Sequence, residues 1–171
     1  AATAAALEER LARETHSGKP WDRFFVQEKI LGHTHCVAML FNQGQLRATV
    51  GYRQLRDYPA KGGQATLRVS VRNEAAERSF QRLLEHLLWH GPCQADFMVD
   101  DRTGVAHLID INPRLWGSVT QAIASGVDFP YLIYRIASDG DVEPVTSFAT
   151  GVHTRWIGGG LAALPFPLPH A

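Results

Sequence analysis

The chain has 171 residues, with 17 Lys plus Arg and 17 Asp plus Glu, so its formal net charge is zero. This balance argues against non-specific nucleic-acid binding, which depends on a surplus of cations that release counterions from phosphates. The most apolar run, Ile157–Pro169, is shorter than the roughly 20 residues of a membrane-spanning helix and contains prolines. Cys36 and Cys93 show no metal-type spacing and no disulfide framework. We therefore expect one globular domain, or one large piece of a domain, with two half-buried thiols. We expect it in the cytoplasm, without nucleic-acid or membrane partners.

The first half of the chain is predicted to contain one helix followed by several strands. Residues 4–16 are good helix formers. Apolar and β-branched residues predict strands over 24–30, 35–41, 46–55 and 65–71. Asn42-Gln43-Gly44 is typical of a hairpin turn between the second and third of these strands.

The second half is predicted to contain a long helix, a hairpin and two short helices. Asn73 is a good N-cap, and we expect Gly91 to end the helix that follows. Strands are predicted over 94–99 and 106–111, joined by the polar turn 100–104, with helices over 119–124 and 129–138. Because the strands are grouped and do not alternate strictly with helices, the order predicts an α+β fold with an antiparallel sheet and flanking helices.

The predicted hairpin carries residues that suit a divalent cation. Asp110 and Asn112 are two apart in one strand and so share a face, and a tight turn can bring Asp96 opposite them. Two carboxylates and an amide oxygen are ligands that Mg²⁺ accepts. Asp110 lies between apolar neighbours, where an acid is costly unless something neutralises it. Arg114 follows directly and could bind phosphate or carboxylate, although solvated strand-end groups are the alternative interpretation.

Four ordered blocks of sequence carry a family resemblance. They are Phe25–Gly32 (FVQEKILG), Ala95–Phe97 (ADF), Leu108–Arg114 (LIDINPR) and Ala124–Pro130 (ASGVDFP). Together they resemble the C-terminal half of an ATP-grasp domain, in the branch similar to the carbamoyl-phosphate synthase large subunit. The resemblance covers about residues 20–138. It implies a partial ATP-grasp domain over 1–140, followed by a C-terminal extension over 141–171 to which we assign no role.

The resemblance implies a hinge segment along which the adenine of ATP lies. Backbone groups of Lys29, Ile30 and Leu31 would read the base edge, with Glu28 nearby, and His35 would hold the ribose hydroxyls. An extended segment offers the N–H donor and C=O acceptor that adenine needs. A solvated strand end and surface histidines are the alternative interpretation of these residues.

The same resemblance implies that Asp96, Asp110 and Asn112 hold Mg²⁺ or Mn²⁺ bridging the ATP phosphates. Arg114 would then contact the transferred phosphoryl group. The sequence departs from the commoner family pattern, in which Glu stands at the position of Asp110 and often at that of Asp96. Because Asp is one methylene shorter, bidentate bridging of two ions is put in doubt.

A further cluster contains Arg53, Arg56 and the Gly62-Gly63 pair. A similar loop in this branch of the ATP-grasp proteins faces the phosphates or the acceptor, which makes both arginines candidate catalytic residues. Two arginines three apart in a regular strand do not share a face, so we expect only one to point into the site. A surface turn with exposed arginines is the alternative.

The implied activity is that of an ATP-dependent carboxylate–amine ligase, in which a carboxylate activated as an acyl phosphate is attacked by an amine or another nucleophile. The implied partners are ATP, the two small-molecule substrates and the N-terminal half of the ATP-grasp domain. That half supplies a Gly-rich lid and lysines, which we do not recognise in this chain. The alternative function is therefore a truncated, non-catalytic nucleotide-binding or interaction module.

Overall fold

Six antiparallel strands form one sheet in the computed structural model, which describes residues 3–16, 27–58 and 63–158. The order of the strands across the sheet is β5-β4-β1-β2-β3-β6, and neighbouring strands are antiparallel. This confirms the predicted α+β class. In chain order the elements are α1 (Ala4–His16), β1 (Gly32–Asn42), β2 (Gln45–Tyr58), β3 (Gln64–Ser70), α2 (Glu74–His86), β4 (Gly91–Asp100), β5 (Ala106–Asn112), α3 (Val119–Ala124), α4 (Phe129–Asp139) and β6 (His153–Arg155).

The sheet has two differently covered faces, because side chains alternate along each strand. On the α2 face, Val37, Met39 and Phe41 of β1 pack with Phe80 and Leu84 of α2. On the opposite face, called here the α3–α4 face, the neighbouring β1 residues Cys36, Ala38 and Leu40 belong to a second core. Further members of that core are Val50, Tyr52, Trp116, Ala122, Val127, Phe129 and Leu132.

Helix α2 begins as predicted and ends earlier than predicted. The Asn73 side chain caps the helix by accepting a hydrogen bond from the Ala76 amide at 3.1 Å. The chain leaves the helix at Leu87 and Leu88, and the Trp89 amide bonds back to the Leu84 carbonyl at 2.9 Å. Gly91, with φ of 101°, therefore opens β4 and does not end the helix.

The strand predictions need three corrections. Residues 27–30 are irregular and not part of a strand, and 24–26 lie outside the described residues. Strand β2 extends to Tyr58, beyond the predicted end at residue 55. Strand β6 was not predicted, because three residues are too short for an alternation signal and its existence depends on pairing with the distant β3.

The residues after 140 are attached to the sheet at several points. Asp141 accepts hydrogen bonds from Asn42 at 2.8 Å and from Arg47, and β6 pairs with β3. The predicted division into 1–140 and 141–171 stays a prediction, and residues 159–171 lie outside the described part. Both cysteines are free and more deeply buried than predicted. None of the helices in the described ranges is long and apolar enough to cross a membrane.

Candidate functional site

The strand register brings the three predicted metal ligands to one edge of the α3–α4 face. Asp96 of β4 lies directly opposite Asp110 of β5, and Gln94 lies opposite Asn112. Directly opposed residues in an antiparallel pair share a face, as do residues two apart in one strand. The predicted convergence of Asp96, Asp110 and Asn112 is therefore present in the structure.

Gln94 joins these residues into one hydrogen-bond network. Its amide nitrogen donates to Asp96 Oδ1 at 2.6 Å, and its amide oxygen accepts from Asn112 Nδ2 at 3.0 Å. Asn112 Nδ2 also donates to Asp110 Oδ2 at 3.0 Å, and Arg114 Nη2 donates to Asn112 Oδ1 at 3.1 Å. Gln94 was not predicted from the sequence. It stands two residues before Asp96, and this spacing, which puts both side chains on the same face, is the feature that could have identified it.

Cys36 is the second neighbour of Asp96 that the sequence analysis missed. Its thiol donates to Asp96 Oδ1 at 2.8 Å and accepts from Gln54 Nε2 at 3.3 Å. Burial, and then the adjacent Asp96 charge, raise the pKa of the Cys36 thiol, so the thiol stays a donor at neutral pH. The hydrogen bonds from Cys36 and from Gln94 both go to the same carboxylate oxygen of Asp96, Oδ1. Among the described residues, none donates a hydrogen bond to Oδ2 of Asp96.

Asp110 differs from its predicted environment. It was expected to be an acid enclosed by apolar neighbours, but its side chain is exposed. The reason is that β5 is the edge strand of the sheet, so the neighbours Ile109 and Ile111 are themselves exposed. Asp110 therefore carries no burial cost and is accessible to a ligand.

A cavity of about 490 Å³ extends from this network across the α3–α4 face. Trp116 and Tyr52 form part of its wall; Trp116 packs edge-on against Phe129 with ring centroids 4.9 Å apart, and the Tyr52 hydroxyl bonds to Ser118 at 2.9 Å. The charged residues of the lining are one acid and three arginines: Asp96, Arg68, Arg114 and Arg155. A volume of this size is typical of small-molecule sites.

The two other predicted arginines lie outside that cavity. Arg53 is opposite Val69 and Arg56 is opposite Leu67, while Leu55 between them is an additional residue in a β-bulge. Because Val69 and Leu67 are two apart in β3, Arg53 and Arg56 share a face. The expectation that they point to different faces was wrong. Neither lines the cavity, whereas Arg68 and Arg155, which the sequence analysis did not select, do.

His35 is on the α2 face, away from Asp96. A Cβ placed on Gly51 would lie 3.3 Å from His35 Nε2 and 3.3 Å from Glu77 Oε1, so glycine lets both side chains approach the backbone here. His35 Nε2 is buried and has no partner in the described ranges. Burial, helped by His33 and Arg53, lowers the pKa of His35 to about 4. The structure does not bring His35 to the cavity.

The predicted adenine segment is described from residue 27 onward. Glu28, Lys29 and Leu31 are exposed, Ile30 is half-buried, and none of them lines the cavity. The Leu31 carbonyl accepts a hydrogen bond from the Asp101 amide at 3.1 Å.

The donor set at the β4–β5 edge fits a hard divalent cation. In the described residues, no group of three or more His, Cys, Asp or Glu side chains is spaced to hold a metal ion. Mg²⁺ does not need such a cage, because it keeps several waters and commonly binds one or two carboxylates together with substrate phosphates. Asp96, Asp110 and the Asn112 amide oxygen supply that kind of partial set.

Structural comparison finds several solved enzymes with a similar fold. The biotin carboxylase of Campylobacter jejuni, in complex with β,γ-ATP, is 16% identical with a TM-score of 0.56, over 74% of this chain and 30% of that one. The phosphoribosylaminoimidazole carboxylase ATPase subunit of Aquifex aeolicus is 14% identical with a TM-score of 0.56, over 71% and 38%.

A third structure is the biotin carboxylase domain of the Hydrogenobacter thermophilus 2-oxoglutarate carboxylase with MgADP, ADP and bicarbonate. It is 12% identical with a TM-score of 0.52, over 71% of this chain and 28% of that one. At these identities the likeness shows a shared fold. The chain spans well under half the length of the three proteins.

No curated protein matches the chain. A family model matches residues 21–159, most of the sequence. All eleven site residues predicted from the sequence lie within this matched range. The chain therefore belongs to the family described as ATP-grasp in the biosynthetic pathway with Ter operon.

Proposed function

We propose that this chain forms the metal- and phosphate-binding half of an ATP-grasp ligase that activates a carboxylate as an acyl phosphate. The observation that carries the proposal is the Asp96–Gln94–Asn112–Asp110 network, with Arg114 bonded to its end. Family membership supports the general class, and the exposed β5 edge leaves the acids accessible.

The proposed metal ligands are Asp96, Asp110 and Asn112, which would hold Mg²⁺ or Mn²⁺. When bound, the ion would neutralise charge on the ATP phosphates. Gln94 and Cys36 donate to Asp96 Oδ1, and this orients the carboxylate in advance. Because it is already held in this orientation, the carboxylate can bind the metal ion without first rearranging.

Arg114 is proposed to stabilise the transferred phosphoryl group. A guanidinium offers several N–H donors in a fixed plane, which matches phosphate and carboxylate oxygens. Its bond to Asn112 Oδ1 places this cation beside the proposed ligands, and its side chain is exposed. Arg53 and Arg56 remain candidates only for contacts outside the cavity.

The proposed reaction has two steps. A carboxylate oxygen of the substrate attacks the γ-phosphorus of ATP, the bond to the β–γ bridging oxygen breaks, and ADP leaves with that electron pair. The nitrogen of an amine then attacks the acyl carbon, inorganic phosphate leaves, and the amine loses a proton to give the amide.

The adenine ring is proposed to bind along the backbone of Lys29, Ile30 and Leu31, with Glu28 nearby. His35 is the proposed ribose contact. Its position on the α2 face makes it the least supported of these assignments.

Titration of ATP into the full chain, with and without Mg²⁺, tests this proposal. We expect saturable binding that depends on the metal, and a loss of about 100-fold or more in Asp110→Asn. Because Asp110 is exposed, the melting temperature of this variant should match that of the wild type. Glu85→Gln, an exposed acid on α2, is the matched control and should bind as the wild type does. Equal affinity in Asp110→Asn would remove the metal assignment, and absence of wild-type binding would favour the non-catalytic interaction module.

A further inference from the structure

The end of the cavity formed by β3 and β6 carries positive charge that the proposed metal site does not use. We propose that the carboxylate substrate is a dianion whose second acidic group is bound by Arg68. This inference rests on the proposed function, because it names the class of substrate that the ligase would activate. The second acidic group is a carboxylate, phosphate or phosphonate at one end of the substrate molecule.

Arg68 lies far from the proposed metal ligands but in the same cavity. It is opposite Gln54 of β2 and opposite Thr154 of β6, and all three residues line the cavity. Asp96 is on β4, three strand positions away from β3. At about 4.8 Å per strand, this separates the two backbones by roughly 14 Å. Arg68 is therefore placed for a distal group of the second substrate, while Arg114 is placed for the reacting one.

The guanidinium of Arg68 forms no ion pair with any acid in the described residues. One of its amino groups donates to the Ala65 carbonyl, and its Nε is buried without a partner in the described residues. Asp57 is the nearby acid, and it forms no ion pair with Arg68. Burial raises the pKa of Asp57, and Arg68 opposes that rise. A half-buried cation in this position is compensated when an anion binds.

Strand β6 closes the same end of the cavity. Thr154, opposite Arg68, and Arg155 both border it, but Arg155 is opposite Leu67, so the register places it on the other face of the sheet from Arg68. The next residue, Trp156, is anchored by its amide bond to the Thr66 carbonyl at 2.9 Å, and its side chain also lines the cavity. A monocarboxylate bound by Arg114 would leave Arg68 without an anionic partner. A dianion would place one acidic group beside Arg114 and the other beside Arg68.

Calorimetric titration with matched acids tests the substrate class directly. Succinate, glutarate and adipate are compared with butanoate, pentanoate and hexanoate, and 3-phosphonopropanoate distinguishes a phosphorus-centred group from a carboxylate. We expect at least one dianion to bind the full chain about tenfold more tightly than the monocarboxylate of equal length. In Arg68→Gln this preference should disappear while the affinity for monocarboxylates is unchanged. Arg82→Gln, an exposed arginine on α2, should keep the preference.

The same proteins separate this inference from the proposed function. Arg68→Gln should bind Mg²⁺–ADP as tightly as the wild type, because Arg68 is remote from the metal ligands. Equal affinity for dianions and monocarboxylates, or a preference that survives in Arg68→Gln, would overturn the dianionic substrate class. Failure of the wild type to bind Mg²⁺–ADP would instead overturn the proposed function.

Discussion

The two faces of strand β4 differ in composition within a single stretch of ten residues. Cys93, Ala95, Phe97 and Val99 are buried, and the first three belong to the core under α2. The alternate residues Gln94, Asp96 and Met98 lie on the α3–α4 face, where Asp96 and Met98 are only half-buried. One face is closed by helix α2 and belongs to an apolar core. The other is left partly open, and Gln94 and Asp96 on it are joined by a hydrogen bond.

The largest effect is expected from the closed face. Phe80 is buried and packs edge-on against Phe97 with ring centroids 6.4 Å apart. Phe80→Ala should lower the free energy of unfolding by about 3–5 kcal/mol, because it removes buried apolar area and leaves a cavity. Urea unfolding measures the loss. If the folded molecules of this variant also bound nucleotide less tightly, the packing of the α2 face and binding at the α3–α4 face would not be independent.

A second prediction concerns pH and His35. The pKa of His35 is lowered from 6.5 to about 4 in the folded chain, so between these values the unfolded chain binds the additional proton. This contribution to stability is complete above pH 6.5 and is lost as pH falls toward 4, by about 3 kcal/mol at most. Unfolding of His35→Gln across this range should show a smaller loss than that of the wild type. Equal pH slopes would mean that His35 is not buried as a neutral side chain.

A third, smaller effect tests the open face. Gln94→Leu removes the amide that links Asp96 to Asn112, while keeping a similar side-chain volume. We expect Mg²⁺-dependent nucleotide affinity to fall about tenfold, because groups behind metal ligands orient them. Nucleotide affinity measured in a chelator should not change. An equal loss with and without metal would indicate that Gln94 has only a packing role.

Local patterns in the sequence predict the open face only in part. The two-residue spacing of Asp110 and Asn112 predicts that they share a face, but a regular hairpin would pair Asp96 with Ile109. Asp96 lies opposite Asp110 because the register shifts between Asp96 and Phe97, and no residue in the sequence marks that shift. The bulge at Leu55 follows from how β2 pairs with β3, and no residue in the sequence marks it. Arg68 escaped selection because its environment depends on β6, which is distant in the chain. His35 was assigned by resemblance, and strand alternation places it on the opposite face.

The proposal that a metal–nucleotide complex binds the β4–β5 edge of the α3–α4 face can be tested without any substitution. Titration with Mn²⁺–ADP, followed by paramagnetic broadening of backbone amide signals, tests it directly. We expect the earliest loss of signal at Gln94, Asp96, Asp110 and Asn112, and a later loss at Arg78–His86 of α2. Broadening centred on α2, or none at any residue, would contradict a nucleotide site at the β4–β5 edge.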